Sequence, residues 1–282
     1  MNSTDITVVI PIVTLEGLKQ ITTDSDGNEK TINLVNSCFN SITTQKQPPS
    51  EVILVVPSGF SGVDDLELKI SETTNPNNIP FNIVMNDGDT SYQNQINVGV
   101  SKVNTEYFSV IGLDDQYSSI WFENVVKYNG WYDLDVYLPL CVNVSPNGGF
   151  LNFTNEPVWA RDFSDKLGFL DNDSVLNYPN FQFFGSVIKK SSYESVGGLK
   201  PSIKTYEMFE LFLRLTYYSK TIMTIPKVGY RKVNFRVGSK SHTDLINKET
   251  KIDPVELRFW YNTSKKESYH KTDRVITYNT NG

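Results

Sequence analysis

Glu106-Tyr107-Phe108-Ser109-Val110-Ile111-Gly112-Leu113-Asp114-Asp115 joins an apolar run of strand length to two adjacent carboxylates. Short runs rich in β-branched and aromatic residues read as strands covered on both faces. The carboxylates that close this one are either the mouth of a site or the start of a turn, since Asp opens turns readily. The preceding chain decides what sheet the strand belongs to. Residues 6–13, 51–56 and 81–86 are three more runs of the same kind. Between them, residues 31–45 place Ile32, Leu34, Val35, Cys38, Phe39 and Ile42 at helical spacing, stopped by Pro48-Pro49. Residues 90–103 put Ile96, Val100 and Val103 on one side of a second helix. Strand, helix, strand, turn, strand, helix, strand implies an α/β fold: a mostly parallel central sheet flanked by helices. Such sheets bind ligands beyond the carboxyl ends of their strands. Gly112 to Gln116 lies at one such end and Pro57-Ser58-Gly59 at another.

Onward from there the pattern is less regular. Residues 135–144, 181–190 and 221–233 read as strands, 191–199 as a short helix with a glycine stop, and 206–219 as a helix in which Glu210 and Arg214 form an i,i+4 pair. Residues 145–180 are aromatic and polar, a substrate-facing insertion. A helix starts at Asp253-Pro254, with Asp as cap and Pro in the first turn. Asp24-Ser25-Asp26-Gly27 has the look of a calcium loop, but the later ligands and the closing Glu are absent, so a hairpin turn is the reading adopted. The expected division is a domain over 1–244 and a polar, helical extension over 245–282.

The bulk numbers set limits. A chain of 282 residues with 39% hydrophobic and 21% charged content is a folded protein with a large core. A net charge of −6 and the lack of any basic stripe argue against a nucleic-acid surface. The longest apolar run near the start is too short to span a bilayer, and no basic region precedes it. The expectation is therefore a cytoplasmic, unsecreted protein with no membrane span. Cys38 and Cys141 read as buried thiols of a reducing compartment. Ala160 is the only alanine, the bias of an AT-rich microbial or viral genome.

The order of motifs resembles family 2 glycosyltransferases of the GT-A, Rossmann-like fold. Ile10-Pro11-Ile12-Val13-Thr14 resembles the family's first strand end, Ser41 to Gln45 its "Sl..Q", and Glu51 to Val56 its second strand. Asn97-Val98-Gly99 resembles its "N.G", and Leu113-Asp114-Asp115 the end of its "lDsDD". Gly185, Glu194 to Leu199 and Glu207 to Leu215 follow in the family's order. The resemblance covers residues 6–240. It implies transfer of a sugar, with inversion, from a nucleotide-sugar donor to a glycan or protein acceptor. It implies Mn²⁺ or Mg²⁺ on the leaving diphosphate and a carboxylate base. Carried over residue by residue, Pro11, Thr14, Ser58, Asn97 and Asp114 face the nucleotide, Asp114 and His242 hold the metal, and Glu207 is the catalytic candidate.

Three functional positions depart from the family pattern. Ser58 stands where an acidic residue reads the base, Gly112 where the first carboxylate of the "DxD" falls, and Met208 where the catalytic aspartate falls. A thioether cannot accept the proton, so Glu207 has to act from a different azimuth. Each retained residue also has a plain reading: Asp114-Asp115 as a turn, Glu207 as a solvated or salt-bridged helix residue, and His242 as a loop histidine. The alternative function is an inactive GT-A-fold domain kept as a structural, binding or assembly protein, with a virion component as one form and a host-cytoplasm or virion location. An oligomer or protein partner would then be held through residues 245–282.

Overall fold

A computed structural model describes residues 4–16, 18–23, 27, 29–156, 168–178, 181–236, 239, 257, 258, 260 and 261. β1 (Ile6–Pro11) leads into an antiparallel pair, β2 (Lys19–Thr23) and β3 (Glu29–Asn33). Then come α1 (Leu34–Thr43), β4 (Glu51–Pro57), α2 (Val63–Ser71), β5 (Phe81–Asn86), α3 (Tyr92–Lys102) and β6 (Tyr107–Val110). The rest comprises β7 (Gln116–Tyr117), α4 (Trp121–Asn129), β8 (Val136–Val144), β9 (Phe150–Thr154), β10 (Phe169–Leu170) and α5 (Asn172–Asn177). It continues with β11 (Val187–Lys189), α6 (Lys190–Ser195), α7 (Glu207–Tyr217) and β12 (Ile222–Val233).

One central sheet runs β10-β12-β8-β11-β6-β1-β4-β5, with β7 added to β12 and β9 to β8. The β5-β4-β1-β6 half is wholly parallel. β11 enters antiparallel between β6 and β8, so the other half is mixed. All six residues of β1 are buried, as a β-branched run between two helical layers must be. α3 lies directly on the sheet because Gly99 has no side chain. A Cβ there would come within 2.4 Å of Val9 Cγ1 and 2.9 Å of Val55 Cγ2. In the parallel half the carboxyl ends of four strands therefore open on one edge.

Local chemistry sets the boundaries. The helix read over 31–45 starts only at Leu34, because Thr31 and Ile32 belong to β3 and Asn33 caps the helix. Asn33 Oδ1 accepts from Val35 N (3.1 Å) and Asn36 N (3.4 Å). The strand read over 181–190 shrinks to β11, because Gly185 turns the chain at φ +78°. α2 and α4 were not legible. α2 buries only Leu66, which leaves no apolar stripe to read.

One buried ion pair locks the carboxyl-terminal half. Arg214 Nε and Nη2 donate to Glu210 at 2.9 and 2.6 Å, and Nη1 donates to Val196 O. The Tyr261 hydroxyl donates to the same Glu210 at 2.8 Å, and Asn172 Nδ2 donates to Tyr261 O at 2.9 Å. Leu257 and Tyr261, within the expected 245–282 extension, are thus packed into the core. His242, Asp24, Asp26, Asp253 and most of the extension lie outside the described residues. No helix among the described residues is long and apolar enough to cross a membrane. Cys38 and Cys141 are free and buried.

Candidate functional site

The two carboxylates after β6 part company. Asp115 is a clamp. Its Oδ1 accepts from Val233 N (2.8 Å) and its Oδ2 from the Tyr230 hydroxyl (2.7 Å), so it ties the end of β12 to the end of β6. Its own N–H donates to Gly112 O (3.0 Å), closing the turn. Burial, reinforced by the Asp114 charge, pushes its carboxyl up to about 8 despite Lys232, Tyr230 and Val233 acting the other way. Beneath the turn, the buried Cys38 thiol donates to Gly112 O (3.5 Å). A Cβ on Gly112 would sit 2.8 Å from Asp115 Oδ2 and 3.0 Å from Asp114 Oδ1. The space of the missing first carboxylate is filled by the other two.

Asp114 turns the other way, toward the open edge. Its Oδ2 accepts from Arg236 Nε at 2.6 Å, with 13% and 10% of the two side chains exposed. Arg236 arrives from just past β12, through Phe235 at φ +62°. Its Nη1 donates to Glu16 O (3.0 Å), so it also bridges to the loop after β1. Among the described residues no group of three His, Cys, Asp or Glu is placed to hold a metal ion. The carboxylate expected to ligate one holds a guanidinium, and its neighbour is spent on β12. A divalent cation does not fit this arrangement.

Around this turn the edge carries the other candidates. Pro11 is the buried last residue of β1, and Thr14 Oγ1 accepts from Glu16 N (3.0 Å). Ser58, after β4, is exposed, and its hydroxyl donates to Asp87 Oδ1, just past β5. Asp87 thus brings a carboxylate to the side of the edge where the sequence lacks one. Its loop is shaped by Asn86, whose Oδ1 accepts from Gly88 N (3.1 Å) and whose Nδ2 donates to Asp89 O (2.8 Å). Asn97 is engaged elsewhere. Its Oδ1 accepts from Leu199 N (3.1 Å) and the Tyr193 hydroxyl (2.6 Å), and its Nδ2 donates to Leu199 O (2.8 Å).

Glu207 opens α7 and is 5% exposed, so of the two plain readings, solvated or salt-bridged, burial removes the solvated one. It follows Tyr206, held at φ +63°, a left-handed conformation that bulky residues rarely adopt. Met208 is half-buried against the core. Tyr92, the first residue of α3, links the two sides. Its phenol is raised well above its ordinary value by burial and then by the charges of Asp115, Asp114 and Glu207. The Tyr92 ring itself lies 5.8 Å from the Phe184 ring. Sequence reasoning missed Asp87, Tyr92 and Arg236. Only Asp87 had a signal, the Asn-Asp-Gly that ends a parallel strand.

Known proteins bear on this geometry. The model of glycosyl transferase family 2 matches residues 28–196. No curated protein matches the chain. Among solved structures, S. aureus TarS 1–349 superposes with a TM-score of 0.59 at 12% identity, over 95% of this chain and 75% of that one. The same fragment in complex with UDP-GlcNAc gives 0.61 at 12% identity, over 89% of this chain and 63% of that one. Its UDP complex gives 0.57 at 12% identity, over 95% and 73%. At such identity the likeness is one of fold.

Proposed function

The chain belongs to glycosyl transferase family 2, and from that premise we propose that it binds a nucleotide-diphospho-sugar across the carboxyl ends of β4, β5, β1 and β6 and transfers the sugar to an acceptor hydroxyl. The observation that supports this is the edge itself, where Asp114 follows β6 and Ser58, after β4, donates to Asp87 just past β5, while the Tyr92 phenol is raised by burial and then by the charges of Asp115, Asp114 and Glu207. A diphosphate leaving group and an acceptor base have to meet at such an edge. The Ser58–Asp87 pair is suited to the donor base, since a carboxylate and a hydroxyl accept from and donate to a pyrimidine edge. Uridine is the first base to try, because the TarS fragment is known with UDP and UDP-GlcNAc.

In the proposed step the acceptor oxygen attacks the anomeric carbon. The bond from that carbon to the diphosphate oxygen breaks, the nucleoside diphosphate leaves, and Glu207 takes the acceptor proton. Divalent-metal dependence, the family's common habit, is not part of this reading, since Asp114 is engaged by Arg236.

Met208 favours a second reading. The catalytic position of the family holds a thioether packed on the core, which suits a domain that binds without transferring and serves in an assembly. Residues 245–282 are then the candidate contact with a second copy or a protein partner. One experiment divides the two. The chain is incubated with UDP-GlcNAc and with other nucleotide sugars, and nucleoside diphosphate release is followed. Release that disappears in Glu207→Gln supports transfer. Binding without release under any acceptor supports the binding module, and no binding of any nucleotide removes the donor site itself.

A further inference from the structure

We infer that Gln95 reads the base of the donor: its side-chain oxygen is an acceptor kept without a partner inside the protein for the ring N–H of a uracil or a guanine. The inference rests on the donor-site reading above and adds which bases that site admits.

Placement comes first. α3 runs back from the carboxyl edge, and at Gly99 it touches the sheet between Val9 of β1 and Val55 of β4. Gln95 lies four residues earlier, on the same face of the helix and one turn nearer the edge. One helical turn is about 5.4 Å and two strand residues are about 6.6 Å. Gln95 therefore stands level with Pro11 and Pro57, two residues on from Val9 and Val55. Its Nε2 donates to Thr90 O at 3.1 Å, in the loop before the helix, so the side chain is drawn toward the edge. The same loop carries Asp87, bonded to the hydroxyl of Ser58.

The bond to Thr90 O also settles which way the amide points, since only its nitrogen can donate to a carbonyl. Oε1 is left as an acceptor. Among the described residues it has no hydrogen-bond partner, although Gln95 is only 1% exposed. A buried acceptor without a partner is costly, whereas an apolar side chain of the same shape in its place is nearly neutral or stabilising. The two strand positions level with it are prolines, whose nitrogens carry no hydrogen to offer. Residues 87–90 of the loop are all exposed, so nothing packs on them from outside and a ligand can displace them. The group that completes Gln95 is thus a donor from a ligand, beside the place given to the base. Uracil and guanine present a ring N–H on their pairing edge. Cytosine and adenine present a lone pair there, which would face Oε1 unfavourably.

The test is equilibrium binding of UDP, CDP, GDP and ADP to the full chain, by calorimetry. UDP is expected to bind about tenfold or more tightly than CDP, and GDP than ADP, the usual effect of a hydrogen bond whose loss strands a buried acceptor. In Gln95→Met the affinity for UDP should fall by about the same factor and the difference between UDP and CDP should vanish. The thermal midpoint of that variant should stay level or rise, because the unpaired oxygen is gone. UDP methylated at N3 should bind the native chain about tenfold more weakly than UDP, an arm that needs no variant and stands even if Gln95→Met fails to fold. Unchanged affinity for UDP in Gln95→Met, or CDP and ADP bound as tightly as UDP and GDP, overturns the inference and leaves the donor site standing. No binding of any of the four overturns both.

Discussion

Two arginine–carboxylate pairs sit in this molecule and differ in kind. Glu210–Arg214 lies on one face of α7, 1% and 2% exposed, doubly bonded, with Val196 O and the Tyr261 hydroxyl completing it. Asp114–Arg236 joins residues 122 apart at the edge of the sheet, through Nε and Oδ2 at 2.6 Å. The first is surrounded by partners that nothing from solvent can replace. The second lies at the edge of the sheet, with about a tenth of each side chain exposed. The same two chemical groups thus serve as a lock in one place and, nearer the surface, as a latch between the turn after β6 and the end of β12 in the other, and depth of burial makes the difference.

The largest effect should follow from breaking the lock. Glu210→Ala leaves Arg214 buried and uncompensated, at a cost of about 3–5 kcal/mol by the usual behaviour of buried pairs. Denaturant unfolding reads it directly, and a loss below about 1 kcal/mol would show that the pair is solvated and the contrast false. Catalysis should respond at the other pole. Glu207→Gln is expected to lower nucleotide-sugar turnover by about 10²–10⁴-fold, the usual contribution of a general base, with UDP affinity retained. Equal turnover would move the base elsewhere.

The latch should behave differently from the lock when cut. Arg236→Gln is expected to cost less than Glu210→Ala, since it removes the cation and leaves Asp114 with 13% of its side chain exposed rather than fully enclosed. A loss as large as that of Glu210→Ala would make Arg236 a second lock.

This difference was half legible in the sequence. Glu210 and Arg214 are four apart on a strongly apolar helix, so their contact could be read, though not its burial, which depends on Tyr261 and Val196 arriving from elsewhere. The four parallel strands were legible because each is an apolar run of strand length rich in β-branched or aromatic residues. The hairpin of β2 and β3 was read only as a turn, and α2 was lost because a helix with one buried residue has no stripe. Asp114 was legible as a site candidate from its place after a buried strand. Its partner was not. Arg236 follows a strand by three residues and looks like any loop arginine, and only the parallel pairing of β8 with β12, with β7 beside them, brings it to the end of β6. Asp115 shows the same gap: nothing in two adjacent aspartates says which will face inward to Val233 and Tyr230.

The smallest expected effect concerns a carboxylate between these extremes. Asp135, before β8, accepts from Thr221 N (2.7 Å), Thr221 Oγ1 (2.9 Å) and the Ser192 hydroxyl, joining the starts of β8, β12 and α6. Burial pushes its carboxyl up, but the bonds from Ser192 and Thr221 outweigh that and hold it below its ordinary value of 3.8. A carboxyl lowered in the folded state contributes stability that is complete above its unfolded value and lost as pH falls through the folded one. The gap in thermal midpoint between the native chain and Asp135→Asn should therefore be widest near neutrality and narrow as pH drops below about 4. A gap that stays constant with pH would mean that the three donors bind a neutral acceptor equally well. Asp135 would then be a packing contact, and charge would separate lock from latch only where an arginine is the partner.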